Sequence, residues 1–124
     1  MNIIINNSSG KPIYEQITNE IKNMVIKEEL KEGDPLPSMR LLAKELKISV
    51  ITTKRAYEEL EKSGFIETII GKGSFIAKKN IESIKEENLK VIEETLKKAV
   101  DIGKTNNIDC ETLKEMIEIF YEGE

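Results

Sequence analysis

Two serines suited to capping helices, Ser38 and Ser49, bracket a stretch of only ten residues, and that spacing leaves the chain little freedom. A helix opened by Ser38 has about nine residues, with Leu42, Ala43 and Leu46 on its inward side, before Lys47 and Ile48 form a tight connection. Ser49 then caps a further helix that runs to Ser63, where Gly64 is placed to stop it. Two helices joined by so short a link read as a helix-turn-helix. On the later helix Thr53, Ala56, Tyr57 and Leu60 recur at helical spacing and form the inward stripe. That register turns Ile51, Thr52, Lys54 and Arg55 outward at the N-terminal end. An isoleucine held outward beside a threonine and two cations implies a binding partner.

The flanking segments extend the pattern. Residues 2 to 11 hold an isoleucine run and a turn-rich lead with room for one brief strand. Pro12 fits the first position of a helix reaching about Glu28, with Ile13, Ile17, Ile21, Met24 and Val25 at helical spacing. Gly33-Asp34-Pro35 ends that unit. After Gly64, the β-branched and aromatic runs Phe65 to Ile70 and Ser74 to Ala77 flank Gly71-Lys72-Gly73, which predicts a hairpin with a basic tip. Three helices and a hairpin are the outline of a winged helix-turn-helix, mainly α with a small β-hairpin (α+β). From Asn80 to about Gly103, Ile81, Ile84, Ile92, Leu96 and Ala99 share one helical face, and Gly103 to Asn107 reads as turn material. Asp109 caps a last helix carrying Leu113, Met116, Ile117 and Phe120 on one side. Two helices of this size cannot bury their stripes on each other alone, so they must dock on the first domain or on a second copy. The expected division is a winged helix-turn-helix DNA-binding domain at 1–79 and a two-helix dimerisation tail at 80–124.

Composition narrows the function. The 124 residues include no histidine and one cysteine, so proton-shuttle and soft-metal chemistries lose their commonest side chains, and no cofactor or metal is expected. Cys110, in the first turn of the last helix, reads as a small apolar filler rather than a redox sensor. The pairs Glu58-Glu59, Glu86-Glu87 and Glu93-Glu94 are sequence neighbours and do not converge on a helix, which disfavours an acid/base pair and an enzyme. Gly71-Lys72-Gly73 is not a phosphate loop, since Gly73 stands where Ser or Thr is needed. No apolar run approaches the roughly 18 residues of a membrane span, and a cytoplasmic protein is expected. The net charge of −4 is unevenly spread: residues 1–79 carry 13 basic and 11 acidic groups, a net of +2, while residues 80–124 carry 6 and 12, a net of −6. Of 19 basic residues only Arg40 and Arg55 are arginine, and both fall inside the helix-turn-helix, where a planar multidentate donor has a use.

The run Leu36-Pro37-Ser38-Met39-Arg40-Leu41-Leu42-Ala43, followed by Ile48-Ser49, Thr52, Arg55-Ala56-Tyr57, Leu60, Gly64-Phe65-Ile66 and Gly71-Lys72-Gly73-Ser74-Phe75-Ile76, resembles the DNA-binding domain of GntR-family bacterial transcription regulators. Pro12-Ile13-Tyr14-Glu15-Gln16-Ile17 is similar to the first helix of the same family, and the likeness covers about residues 11 to 77 without a gap. The short two-helix tail, in place of a large effector domain, resembles the YtrA-like subfamily. The resemblance implies a homodimeric repressor on a pseudo-palindromic operator, in that subfamily often near genes for ABC transporters. Two positions depart from the pattern. Val50 stands where members commonly carry a base-reading arginine, and Thr53 where a valine is usual.

From residues and resemblance together, the expected DNA-contacting set is Ser38, Arg40, Ser49, Val50, Ile51, Thr52, Lys54, Arg55, Gly71, Lys72 and Gly73. The third helix enters the major groove, the preceding helix crosses the backbone, and the wing tip presents Lys72 to the minor groove or a phosphate. The expected dimer contacts are Ile81, Ile84, Ile92, Leu96, Ala99, Leu113, Met116, Ile117 and Phe120. Double-stranded DNA with an inverted-repeat operator and a second copy of the chain are the expected partners, with no membrane. The residues identify no small-molecule effector. A rival reading, motivated by Val50 and the modest +2 of the front half, is a winged-helix protein-interaction module without an operator.

Overall fold

Capping and stop signals set the element boundaries. The computed structural model describes residues 1–79 and 81–123. In chain order the elements are α1 (Ile13–Ile26), α2 (Met39–Leu46), α3 (Val50–Lys62), β1 (Ile66–Ile69), β2 (Gly73–Ile76), α4 (Ile81–Thr105) and α5 (Cys110–Glu122). The Ser38 hydroxyl accepts from the Leu41 N–H at 3.1 Å, and the Ser49 hydroxyl accepts from the Thr52 N–H at 3.2 Å. Each satisfies a backbone donor that a helix start leaves without an intrahelical partner. Between them Lys47 takes the left-handed conformation at φ 58°, and the Ile48 N–H returns to the Ala43 carbonyl at 3.0 Å. This closes α2 and turns the chain into α3 within three residues.

The chain divides into two compact units, Met1–Ile81 and Glu82–Glu124. In the first, α3 packs against both α1 and α2. Its core joins Ile17, Ile21 and Val25 of α1, Leu42 and Ala43 of α2, Ala56, Tyr57 and Leu60 of α3, and Phe65, Ile66 and Ile76 of the hairpin region. Thr53 is fully buried, and its hydroxyl reaches the carbonyls of Val50 at 2.9 Å and Met39 at 3.0 Å. The departure from valine therefore leaves no orphaned polar atom and ties α3 to the start of α2.

The strands β1 and β2 pair antiparallel, with Ile66 opposite Ile76 and Ile69 opposite Gly73. The loop entering α2 adds a further ladder on the other edge of β2. Gly33 N–H donates to the Ile76 carbonyl, Ile76 N–H to the Asp34 carbonyl and Leu36 N–H to the Ser74 carbonyl, at 2.8 to 2.9 Å. The wing is thus fastened by its backbone to the segment that delivers Ser38 and Arg40.

Several boundaries shift from expectation. Pro12 is the residue preceding α1, and its carbonyl accepts from Glu15 and Gln16. The lead holds no strand. Instead Gln16 clamps it, accepting from the Asn6 N–H at 2.7 Å and donating to the carbonyls of Asn6 and Lys11 and to the Ser9 hydroxyl. Ile3 is buried while Ile4 is exposed. In the second unit α4 passes through Gly103 and ends at Thr105, and the left-handed residue of the turn is Asn107 at φ 58°. Gly103 is buried because Leu113 lies against it: a Cβ there would stand 3.2 Å from Leu113 Cδ1. Its role is close approach rather than helix termination. Asp109 caps α5 as expected, accepting from the Thr112 N–H at 2.9 Å. Asn80, the expected start of the tail, lies outside the described residues.

Candidate nucleic-acid interface

The first turns of α2 and α3 and the tip of the hairpin carry the candidate contacts. On α3, Ile51 is 80% exposed and Val50 41%, so Val50 is not core despite its nearness to the inward stripe. Lys54 and Arg55 are exposed and Thr52 is half-buried. The Thr52 hydroxyl lies 2.9 Å from that of Ser49, so these two side chains form one polar pair at the helix entry. Ser49 caps the helix and the Thr52 hydroxyl pairs with it, and both keep lone pairs for a further hydrogen bond.

Farther along the outward face of α3 stand Glu58, Glu59 and Glu61, all exposed. Carboxylates there repel a phosphate backbone, which restricts favourable approach to the N-terminal half of the helix. Ser38 and Arg40 are exposed at the start of α2. Gly71, Lys72 and Gly73 are exposed at the wing tip, where the Lys72 N–H closes a turn on the Ile69 carbonyl at 2.9 Å. Gly71 at φ 81° and Gly73 at φ 111° adopt backbone that L side chains rarely do, which is why this tip needs both glycines.

The sequence pattern does not pair Tyr14 with this set, but the fold does. The Arg55 guanidinium carbon lies 3.9 Å from the centroid of the Tyr14 ring, and Nη2 donates to the Tyr14 hydroxyl at 3.2 Å. An aromatic in the first turn of α1, beside the stripe rather than on it, was the available signal. Tyr57 serves the site from below: its hydroxyl donates to the Pro37 carbonyl at 2.6 Å, anchoring α3 to the residue before Ser38. Burial, and to a lesser extent the nearby Glu45 carboxylate, pushes the Tyr57 phenol well above its usual range, so it remains a donor.

A family model for bacterial regulatory proteins of the gntR family matches residues 13–76, the span from α1 through β2. The chain belongs to the GntR family. The HTH-type transcriptional repressor YtrA of Bacillus subtilis (strain 168) is 36% identical over 115 residues, covering 93% of this chain and 88% of that relative. A transcriptional antiterminator from Listeria monocytogenes EGD-e has a similar crystal structure, with TM-score 0.73 and 32% identity, covering 98% of this chain and 90% of the other. YtrA from Sulfolobus acidocaldarius, a GntR-family transcription factor, gives TM-score 0.62 at 33% identity over 76% of this chain and 96% of its own. This GntR-family chain is a bacterial transcription regulator with a DNA-binding winged helix, and its relatives are regulators rather than enzymes. Among the described residues no helix is long and apolar enough to cross a membrane.

In this GntR-family regulator the expected stripe of α4 and α5 is only partly covered. Ile92, Leu96, Ala99, Met116, Ile117 and Phe120 are exposed, Phe120 by 74%, while Ile81, Ile84 and Leu113 are half-buried. The helices α4 and α5 meet at the Gly103–Leu113 joint, and among the described residues they do not pack along their lengths. Leu89, Val91, Val100 and Tyr121 add to the exposed apolar surface and were not in the expected set.

Proposed function

We propose that this GntR-family regulator is a repressor that binds an inverted-repeat operator as a homodimer and blocks transcription by occluding the promoter. The division of labour is a winged helix at residues 1–79 and a dimerisation tail at residues 80–124. The observation that carries the reading is the outward face of α3, where Ile51 stands exposed beside the Ser49 and Thr52 hydroxyls and the cations Lys54 and Arg55. An α3 inserted by its N-terminal half offers Val50 and Ile51 to thymine methyl groups, favouring A·T-rich half-sites. Ser49, Thr52 and Lys54 lie beside them, with Ser38 and Arg40 at the backbone and Gly71-Lys72-Gly73 at the adjoining minor groove. The stripes of α4 and α5, exposed at Ile92, Leu96, Ala99, Met116, Ile117 and Phe120 and half-buried at Ile81, Ile84 and Leu113, support self-association. The repressor role is supported by the YtrA relative, named a transcriptional repressor. An operon encoding an ABC transporter is the proposed target.

The test is fluorescence anisotropy with a labelled fragment from upstream of the protein's own operon, against a scrambled duplex, at two salt concentrations. Tighter, salt-sensitive binding to the native fragment, weakened by Arg40→Ala, is the expected result. Absence of binding to any duplex at low salt would instead favour the protein-interaction module.

A further inference from the structure

We infer that Tyr14 is a positioning residue for DNA binding: it holds the Arg55 guanidinium for a non-bridging phosphate oxygen bordering the major groove, which brings α1 into the DNA interface. The inference rests on the reading of α3 as the groove-entering helix. Arg55 is one of only two arginines among 19 basic residues, and it sits one turn inside α3 on the flank that meets α1. The planar cation is held twice, by the ring face at 3.9 Å and by the hydroxyl at 3.2 Å. A lysine ammonium could not reproduce this combination of planar stacking and directed hydrogen bonding.

The charge is also left uncompensated. Glu58 and Glu59 stand three and four residues farther along the same helix, yet among the described residues Arg55 makes no ion pair. A guanidinium has five N–H donors. With one directed at Tyr14, the others remain for an acceptor outside the protein. A surface arginine ordinarily loses side-chain freedom when it binds. Here Tyr14 has already restricted that freedom, so the cation is set in place before DNA arrives. Phosphate rather than a base edge is the expected acceptor, because Arg55 lies toward the α1 flank, a turn behind Val50 and Ile51 at the helix tip.

A phosphate contact is independent of sequence, so the test needs no operator. Full-length protein is titrated into a fluorescein-labelled duplex of arbitrary sequence across a range of low salt concentrations, with circular-dichroism melts confirming that each variant is folded. Arg55→Ala is expected to bind about tenfold more weakly. The slope of log affinity against log salt becomes shallower by about one for each copy bound. Tyr14→Leu keeps apolar bulk but has no π face, and is expected to bind about threefold more weakly with little change in melting. In the Arg55→Ala background Tyr14→Leu has no further effect, and Tyr14→Phe retains most of the wild-type affinity. Equal losses from Tyr14→Leu in both backgrounds would overturn the inference, since the two residues would then act independently. If Arg40→Ala weakens binding while Arg55→Ala leaves affinity and slope unchanged, the inference falls and the helix-turn-helix reading stands. If the wild-type chain shows no salt-dependent binding at all, both fall.

Discussion

At the scale of the residue, Tyr57 joins packing to the site most directly. Its buried hydroxyl donates to the Pro37 carbonyl, so Tyr57→Phe is expected to cost about 1 kcal/mol in urea unfolding at neutral pH. The phenol pKa is raised in the folded state, and the neutral form is therefore the one that folding favours. Its contribution is complete below the unfolded pKa of about 10 and is lost as pH rises above it. Urea titrations at alkaline pH should show this decline in the wild-type chain and a weaker one in Tyr57→Phe. Asp109 has the opposite sign. Hydrogen bonds from the Thr112 side chain and backbone hold its carboxyl below the usual range, so the cap of α5 weakens as pH falls into the acidic range. Ser49 carries both a cap and a proposed DNA contact, and substitutions can separate them. Ser49→Ala is expected to cost about 1 kcal/mol of stability, whereas Ser49→Asp retains the cap and repels phosphate. Thermal melts set beside duplex-binding isotherms should show Ser49→Asp stable and weak in binding.

At the scale of the element, boundaries are legible in the sequence where a side chain carries its own signal and hidden where backbone geometry decides. Ser38, Ser49 and Asp109 announced their helices by chemistry that is local, and the inward stripe of α3 followed from spacing. Gly103 misled because glycine commonly ends helices, whereas here it allows Leu113 to approach α4. No local pattern separates those two uses. Lys47 was unreadable for a related reason: a lysine in left-handed backbone is uncommon, and the tight turn into Ile48 imposes it. The ladder from the 33–36 segment to β2 is a long-range pairing hidden by its loop-like composition. Of the candidate site, the α3 tip and wing were legible, but the Arg55–Tyr14 pair, 41 residues apart, was not. Lys47→Val places a β-branched residue in a left-handed turn where lysine already bears the Cβ cost, and is expected to lower stability further, by on the order of 1 kcal/mol, in urea unfolding. The loss of DNA affinity should follow the loss of folded protein.

At the scale of the whole molecule, charge and exposed apolar surface have to be read by unit. The net +2 of residues 1–79 supports duplex binding, while the −6 of residues 80–124 opposes non-specific association with nucleic acid. The apolar stripes of α4 and α5 are more than a solitary soluble helix pair keeps exposed, which is why a second copy is proposed to cover them. Leu96→Glu and Phe120→Glu are expected to convert the chain to a monomer in sedimentation-velocity runs and to weaken operator binding together. On the proposed function, two α3 helices read one duplex about a two-fold axis. Hydroxyl-radical footprinting of the wild-type chain on the fragment upstream of its own operon tests this most directly. The expected result is a pair of protections related by a dyad, with centres about 10 base pairs or a multiple of that apart. A single protection without symmetry, at protein concentrations that saturate the fragment, would contradict it.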